Sequence, residues 1–317
     1  DFCHPHLKTP EICRGFFCLK FAINCGTLLL HLELHYRAAG SLATLAPMPE
    51  LPEVETTRRG VEPYSLNKDI CCLEVRESRL RWPVPADLPQ ILAGQRILSV
   101  DRRAKYLLFR TAPGTLLVHL GMSGSLRVMN SSDPPQKHDH IDIHLSTEHC
   151  LRFNDPRRFG SFLWQAEGEQ HTLLGGLGPE PLSTEFDGEM LYKKSRGRKI
   201  SVKSFLMDGK VVVGVGNIYA NEALYSSGIR PDRNAGRISH ERYDRLATQV
   251  KQVLTSSIEQ GGTTLRDFVG GDGKPGYFAQ NLHVYGREGQ PCRACGRLLR
   301  GVRLGQRATV FCVACQR

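Results

Sequence analysis

No apolar run in this 317-residue chain is long enough to span a bilayer. The longest, at 16–32, is broken by Lys20, Asn24 and His31. The same stretch lacks the charged start and the small-residue cleavage site of a secretory signal. There are no internal repeats and no low-complexity tracts. A nucleotide-binding glycine fingerprint, a metallohydrolase motif and a serine-type triad are also missing, which removes three common kinds of enzyme chemistry. Negative charge is scarce: 32 Asp and Glu stand against 42 Lys and Arg, for a net charge of +10. That imbalance, with a pI near 9.1, favours an anionic partner and nucleic acid first.

Cysteine is plentiful and unevenly placed. Four of the eleven close the chain as Cys292-x2-Cys295, sixteen residues, then Cys312-x2-Cys315. Two such pairs make a closed tetrahedral site for one Zn²⁺, and two local disulfides fit the spacing poorly. A site with no open coordination position is structural, so the chemistry lies elsewhere. Arg297, Arg300, Arg303 and Arg307 make the module basic, as suits one that touches a polyanion. Cys3, Cys13, Cys18 and Cys25 crowd the first 25 residues. Cys71, Cys72 and Cys150 lack ligand spacing and read as small buried hydrophobes in a reducing cytoplasm.

The length leaves room for two domains and a small module. Residues 1–47 are rich in Cys, His and Leu, without clean periodicity, and end at Ala46-Pro47-Met48. The following residues, Pro49 to Glu55 (PELPEVE), read as a protein start. Residues 1–47 are therefore expected to be non-native upstream sequence from a misplaced start codon, or else a removed leader. A helix begun near Glu53 continues over 56–64. Short β-type runs follow at 71–75, 96–101, 106–110, 115–120, 124–129, 140–145, 151–153 and 161–165, with turn residues between them, as in a sandwich or flattened barrel. The segment 175–181 (GGLGPEP) reads as a linker. Helical patterns then occupy 186–192, 201–207, 217–226 and 239–260, and the glycine-rich 270–278 reads as a mobile loop. The KHDHIDIH segment at 137–144 invites a metal reading. Alternation of Ile141, Ile143 and Leu145 fits a strand better, with His140, Asp142 and His144 on its other face.

Several motifs now coincide: PELPEVE at 49–55, DRRAKYLL at 101–108, HLGMSGSL at 119–126, NDPRRFG at 154–160, GVGNIYANEAL at 214–224, GGTTLRDF at 261–268 and GKPGYFAQ at 273–280. With the tail VYGREGQPC and its four cysteines, they closely resemble bacterial formamidopyrimidine-DNA glycosylase, from Met48 to Arg317. Residues 1–47 have no counterpart. The resemblance implies an α+β protein: an N-terminal catalytic β-sandwich domain (48–178), a helix-two-turns-helix DNA-binding domain (184–282) and a four-cysteine zinc finger (283–317). It implies a bifunctional DNA glycosylase and AP lyase of base excision repair that removes 8-oxoguanine and formamidopyrimidines from double-stranded damaged DNA. One structural Zn²⁺, no membrane association, a monomer and a bacterial cytoplasmic, nucleoid-associated location go with it. The ELPEVE start, the GKPGYF loop and the trio of Met122, Arg157 and Phe159 argue against the oxidised-pyrimidine (endonuclease VIII) branch. A non-catalytic zinc-finger DNA-binding protein is the reading from outside the enzymes.

Residue roles carry over by the same resemblance. Pro49 becomes the terminal amine that attacks C1′ and forms a Schiff base, and Glu50 supplies the proton to the leaving nucleoside. Glu53 is a weaker candidate for orienting water or backbone. Lys105 serves β-elimination and a phosphate contact; Arg307 binds phosphate and serves δ-elimination. Met122, Arg157 and Phe159 fill the gap left by an extruded nucleotide, though on sequence alone Met122 and Phe159 read as core. His119 and Asn217 match phosphate contacts; a glycine-rich turn running into a helix at Asn217 suits an anion, and a plain N-cap is the simpler reading. His138, Arg157 and Lys199 match DNA-contact positions, with the basic run 193–203 in support. The loop 263–280 matches the segment that closes over the extruded base. As written, Pro49 is internal and its nitrogen is an amide; the active form is therefore expected to begin at Pro49.

Overall fold

The computed structural model describes residues 48–262 and 282–317. Helix α1 (Leu51–Ser65) opens the described chain. Its N-terminus is set by Pro52 and by the Glu53 carboxylate, which accepts the Glu50 N–H at 3.0 Å. Val54, Thr57, Val61 and Ser65 form the buried stripe. On the opposite face Arg58 pairs with Glu55 and Glu62.

All eight β-type runs are strands: β1 (Ile70–Val75), β2 (Ser99–Arg103), β3 (Tyr106–Thr111), β4 (Gly114–His119), β5 (Ser125–Asn130), β6 (Asp139–Leu145), β7 (His149–Asn154) and β8 (Ser161–Ala166). They form two antiparallel sheets, ordered β1-β6-β7-β5 and β2-β3-β4-β8. Inward residues of both sheets, among them Leu73, Ile141, Ile143, Phe153, Phe109, Val118 and Phe162, join α1 in one core. A short helix α2 (Leu88–Leu92), not foreseen, closes one end with Leu88 and Leu92 buried. Ile141, Ile143 and Leu145 do face the core. Asp142, on the other face, is also buried and grips Arg152 at 2.8 Å and Arg76 at 2.7 Å. Cys71 and Cys72 correct the expectation of three buried thiols: both are exposed, and only Cys150 is buried.

The second half is helical: α3 (Gly188–Ser195), α4 (Val202–Leu206), α5 (Asn217–Ser226) and α6 (His240–Glu259), with a 3₁₀ turn at Ala235–Arg237. Helix α3 starts two residues later than expected because Asp187 caps it, accepting the Met190 N–H at 2.7 Å. Phe186 precedes the cap and packs with Leu191 in the same core, so apolar character runs past the helix start. Helix α5 is buried along nearly its whole length and forms the centre of this half. The final hairpin, β9 (Arg300–Leu304) and β10 (Arg307–Phe311), lies between the two cysteine pairs. No helix among the described residues is long and apolar enough to cross a membrane. The expected mobile loop at 270–278 and the closing segment 263–280 lie outside the described residues.

Arg152 has its guanidinium buried against Asp142 and the carbonyls of Asp133 and Pro134. Removing one partner of a buried pair strands the other. Arg152→Ala is therefore expected to lower unfolding free energy by about 3 kcal/mol in chemical denaturation, with Arg76 retaining part of the Asp142 pairing. A change within a few tenths of zero would contradict it.

Candidate active site

Glu50 is the best-defined group of the site. It is 2 % exposed and reaches across to the start of α5, where its Oε1 accepts the Ile218 N–H at 3.0 Å and its Oε2 lies 3.5 Å from the Tyr219 nitrogen. The seat exists because Gly216 has no side chain: a Cβ there would stand 2.1 Å from the Glu50 carboxyl carbon. The glycine-rich turn was expected to offer its helix N–H groups to a phosphate. The carboxylate of Glu50 takes them instead. Gly216 is the N-cap and Asn217 the first helical residue, so the simple capping reading of Asn217 fails as well. Asn217 is half-buried, and its backbone carbonyl accepts the Asn221 side-chain amide at 2.6 Å.

Burial raises the Glu50 carboxyl to about 7. The Lys105 charge and the two α5 amides oppose the shift, while the Glu53 charge adds to it. Pro49, next to Glu50, is buried, and Met48 lines the neighbouring cleft. Glu53 fixes the Glu50 backbone on one oxygen and accepts the Tyr219 hydroxyl on the other at 2.6 Å; Tyr219 also contacts Ser257 at 2.7 Å. Glu53 thus orients backbone, as one of its two expected roles had it.

Lys105 occupies the two-residue turn between β2 and β3, after Ala104 at φ +55°. Burial lowers its pKa; Glu50 and Glu53 raise it, and Arg307 lowers it again. These mutual effects place Lys105, Glu50, Glu53 and Arg307 in one electrostatic neighbourhood. His119, at the end of β4, is lowered to about 4 by burial and by the charges of Lys105 and Arg81. Its Nδ1 accepts the Gly121 N–H at 3.0 Å, which puts the proton of the neutral ring on Nε2, as a phosphate donor requires.

A cleft of about 810 Å³ gathers His119, Met122, Arg157, Phe159 and Arg307 with Arg79, Arg81 and Arg158. Phe159 is 42 % exposed with Arg157 over its ring at 5.0 Å, and Met122 is half-buried. Neither Met122 nor Phe159 is a core residue, which overturns their plainest sequence reading. Their loops touch through Gly121, where a Cβ would lie 2.4 Å from the Phe159 backbone. Asp155, buried and not singled out by sequence, holds both loops: it accepts the Ser123 hydroxyl at 2.8 Å and the Gly160 N–H at 2.8 Å. His138, at φ +75°, abuts this loop, its carbonyl accepting the Asp155 N–H at 3.0 Å.

The basic run behaves unevenly. Lys199 is exposed. Lys193 pairs with Glu189 at 2.9 Å, and Arg196 stacks on Tyr192 at 3.9 Å. Lys203 is buried and donates to the Ala308 carbonyl at 2.9 Å and Thr309 Oγ1 at 2.7 Å, beside Arg307. Burial lowers its pKa to about 7, with Arg307 adding to the fall and Glu50 opposing it. It buttresses β10 and is not a free phosphate contact. Glu222 plays a similar hidden part, accepting the N–H groups of His283, Val284 and Tyr285 at 2.8–2.9 Å. Asp155, Lys203 and Glu222 give no pattern in sequence. Arg79 and Arg81 sit in a visibly basic stretch that the motif reading passed over.

The four cysteine sulfurs lie within 4.8 Å of one another, with Cys292–Cys315 at 3.9 Å and Cys295–Cys312 at 3.4 Å. Zn–S bonds of about 2.3 Å give a tetrahedron edge of about 3.8 Å, so the donor set fits Zn²⁺. Tyr225 of α5 approaches Cys292 Sγ with its hydroxyl at 3.2 Å and stacks on His283. Such outer hydrogen bonds hold ligands in place.

Three family models match in series: the formamidopyrimidine-DNA glycosylase N-terminal domain over 48–162, its H2TH domain over 177–269, and the zinc finger found in FPG and IleRS over 289–317. A formamidopyrimidine-DNA glycosylase of Stutzerimonas stutzeri is 60% identical over 270 residues, 85% of this chain and all of the relative. One from Pseudomonas aeruginosa is 59% identical over the same span. Among solved structures, the Thermus thermophilus FPG protein matches with TM-score 0.77 and 38% identity, covering 84% of this chain and 98% of that one. A Lactococcus lactis FPG mutant in complex with Fapy-dG-containing DNA matches with TM-score 0.79 and 30% identity, over 85% of this chain and 100% of that one. The zinc-finger match and the donor geometry together make the four-cysteine site a structural zinc site.

Two outcomes follow from the geometry. Folding holds a proton on Glu50 between its ordinary 4.5 and about 7, so that proton's contribution to stability is lost as pH rises through this window. Glu50→Gln removes the titration. It should gain up to about 3 kcal/mol over the parent at pH 8 and little at pH 4.5, by denaturant unfolding; a pH-independent difference would contradict this. Tyr225→Phe should release zinc to a chromophoric chelator about tenfold faster, and an unchanged rate would remove the hydroxyl from the zinc site.

Proposed function

Because the chain belongs to the formamidopyrimidine-DNA glycosylase family, and so is a base-excision-repair DNA glycosylase with the AP lyase activity typical of that family, we propose that it excises oxidised purines through the Pro49 amine. The substrates are 8-oxoguanine and formamidopyrimidines in double-stranded DNA. The observation that carries this reading is Glu50: a carboxyl raised to about 7, held on the α5 N-terminus, directly after Pro49. A group poised near neutrality can donate a proton where an ordinary glutamate is already ionised.

The chemistry balances in a few steps. A terminal proline is a secondary amine with a pKa of about 8, so much of it carries a free lone pair near neutrality. That pair bonds to C1′ as the bond to the damaged base breaks, and the amine's own proton leaves with the base; Glu50 then protonates the sugar ring oxygen, the C1′–O4′ bond breaks, and the nitrogen lone pair forms the iminium. The resulting iminium acidifies the 2′ proton. Its removal expels the 3′ phosphate, and a second elimination expels the 5′ phosphate. Lys105, with a depressed pKa, serves the first elimination and touches phosphate. Arg307 binds phosphate in the second, since guanidinium is a poor literal acid. His119, Lys199, Asn217 and His138 hold the duplex. Met122, Arg157 and Phe159 fill the vacated stack, consistent with their exposure at one cleft.

The nitrogen of Pro49 must be a free amine for this cycle, so the working form begins at Pro49, after loss of Met48. Within it, 48–178 acts as the catalytic domain, 184–282 as the DNA-binding helical domain and 283–317 as the zinc finger. A monomer in the bacterial cytoplasm suffices for the chemistry. Borohydride trapping on an 8-oxoguanine duplex tests the reading. The form starting at Pro49 should give a protein–DNA adduct whose digest places the link on Pro49, and the 317-residue form should give none. Glu50→Gln should excise about 10²–10⁴-fold more slowly. A link on any other residue, or full trapping with Met48 retained, would overturn the proposal.

A further inference from the structure

Lys105 sits in a turn that needs outside support. Ala104, the first of the two turn residues, takes φ +55°, the left-handed region that favours glycine. Alanine is strained there, so surrounding groups must hold it. Ala104 is buried, and both polar groups of its backbone are taken. Its N–H donates to Glu180 Oε1 at 2.7 Å, and its carbonyl accepts Arg102 Nη1 at 2.9 Å. The same Arg102 nitrogen donates to Glu180 Oε2 at 2.7 Å, so one ion pair closes over the alanine. Arg103 adds a second grip, from Nη1 to Glu180 Oε1 at 2.9 Å and from Nη2 to the Gly178 carbonyl at 2.7 Å. Helix α1 steadies the pair through Glu55, which accepts Arg102 Nε at 3.2 Å.

Glu180 belongs to the segment 175–181 between the two halves, and that segment is fixed on its other side as well. The Gly178 N–H donates to the Gly209 carbonyl at 2.7 Å, and a Cβ at 178 would stand 2.7 Å from the Val211 backbone. The Val213 N–H donates to the Pro179 carbonyl at 3.2 Å. One residue further on, the Gly214 carbonyl accepts the N–H of Leu51, next to Glu50, at 3.2 Å. The connection is therefore bonded to the lysine turn on one side and to the backbone that meets the start of α1 on the other. A flexible spacer needs none of these bonds.

We propose that Glu180 is a positioning residue for strand cleavage: through Ala104, Arg102 and Arg103 it holds the strained turn so that Lys105 keeps its place beside Glu50. The proposal rests on the assignment of β-elimination to Lys105. Glu180 acts through the turn alone. Misplacing a reacting group by about 1 Å can slow a step by about 10²-fold, so a loosened turn should show in the step that Lys105 serves.

Single-turnover kinetics of the zinc-loaded protein test this, in the form beginning at Pro49, since Ala46–Arg317 is one compact unit. Base release is read on an 8-oxoguanine duplex after alkali, and elimination on a preformed abasic duplex without it. Glu180→Ala should slow elimination about tenfold or more and base release less than about threefold. In a Lys105→Ala background it should slow elimination no further, because the turn then has no amine to place. Glu180→Gln turns one of the two oxygens into a donor and should show the same split at smaller size, which serves if the alanine variant does not fold. With an active parent, equal slowing of both steps, no slowing, or an added loss in the double variant would overturn this proposal alone. A parent that does not cleave the abasic duplex, or a Lys105→Ala variant as fast as the parent, would overturn the Lys105 assignment and this proposal with it.

Discussion

The placement of one carboxylate organises this molecule. Glu50 crosses from the chain leading into the sandwich to the first turn of α5, where backbone N–H groups receive it. The contact joins the two halves beside the proposed nucleophile Pro49. It sets two opposed demands on the same group. The helix N–H groups favour its ionised form, and burial favours its protonated form. Burial is the larger, and the carboxyl ends near neutrality. Glycine at 216 is the structural condition for that outcome, since any side chain there would fill the carboxylate's place.

Around this contact the remaining groups are graded by exposure. Glu53, Tyr219 and Ser257 form a hydrogen-bonded chain behind Glu50, away from solvent. Lys105, His119 and Arg307 stand in front of it, linked by charge. Met122, Arg157 and Phe159 form the outer rim. In the proposed roles the same order runs from proton donor to phosphate to base stack, the order a flipped nucleotide would meet. Buried polar groups support these parts from within: Asp155 beneath the two rim loops, Lys203 behind β10 and Glu222 below residues 283–285. Each satisfies several donors or acceptors in a buried place, where an unmade hydrogen bond is expensive.

Sequence carried much of this. Short β-type runs marked the eight strands of the sandwich, with clear alternation in β6, where a half-buried sheet imposes its period on the side chains; the final hairpin β9–β10 was not marked. The zinc ligands were legible because tetrahedral thiolate coordination requires short paired spacings. Helix starts were less so: Phe186 continues an apolar pattern that Asp187 interrupts by capping. The anion reading of the turn before Asn217 recognised the backbone property that, in the structure, brings the Ile218 and Tyr219 N–H groups to the Glu50 carboxylate. A helix N-terminus attracts any carboxylate or phosphate, and local sequence does not reveal a glutamate that lies 168 residues before the Ile218 amide it meets. Met122 and Phe159 looked like core because exposure of an apolar side chain is decided by tertiary neighbours. Cys71 and Cys72 looked buried for the same reason, and the bulge in β1 that exposes them has no sequence mark.

The most direct test of the account is the titration of Glu50 itself, followed by carbon-13 NMR of glutamate side chains and assigned with Glu50→Gln. One carboxyl is expected to titrate near 7, well above the ordinary 4.5, in the folded protein without DNA. A Glu50 resonance that titrates near 4.5 would show that burial on the α5 N-terminus does not hold the proton there, and the general-acid role would have no basis.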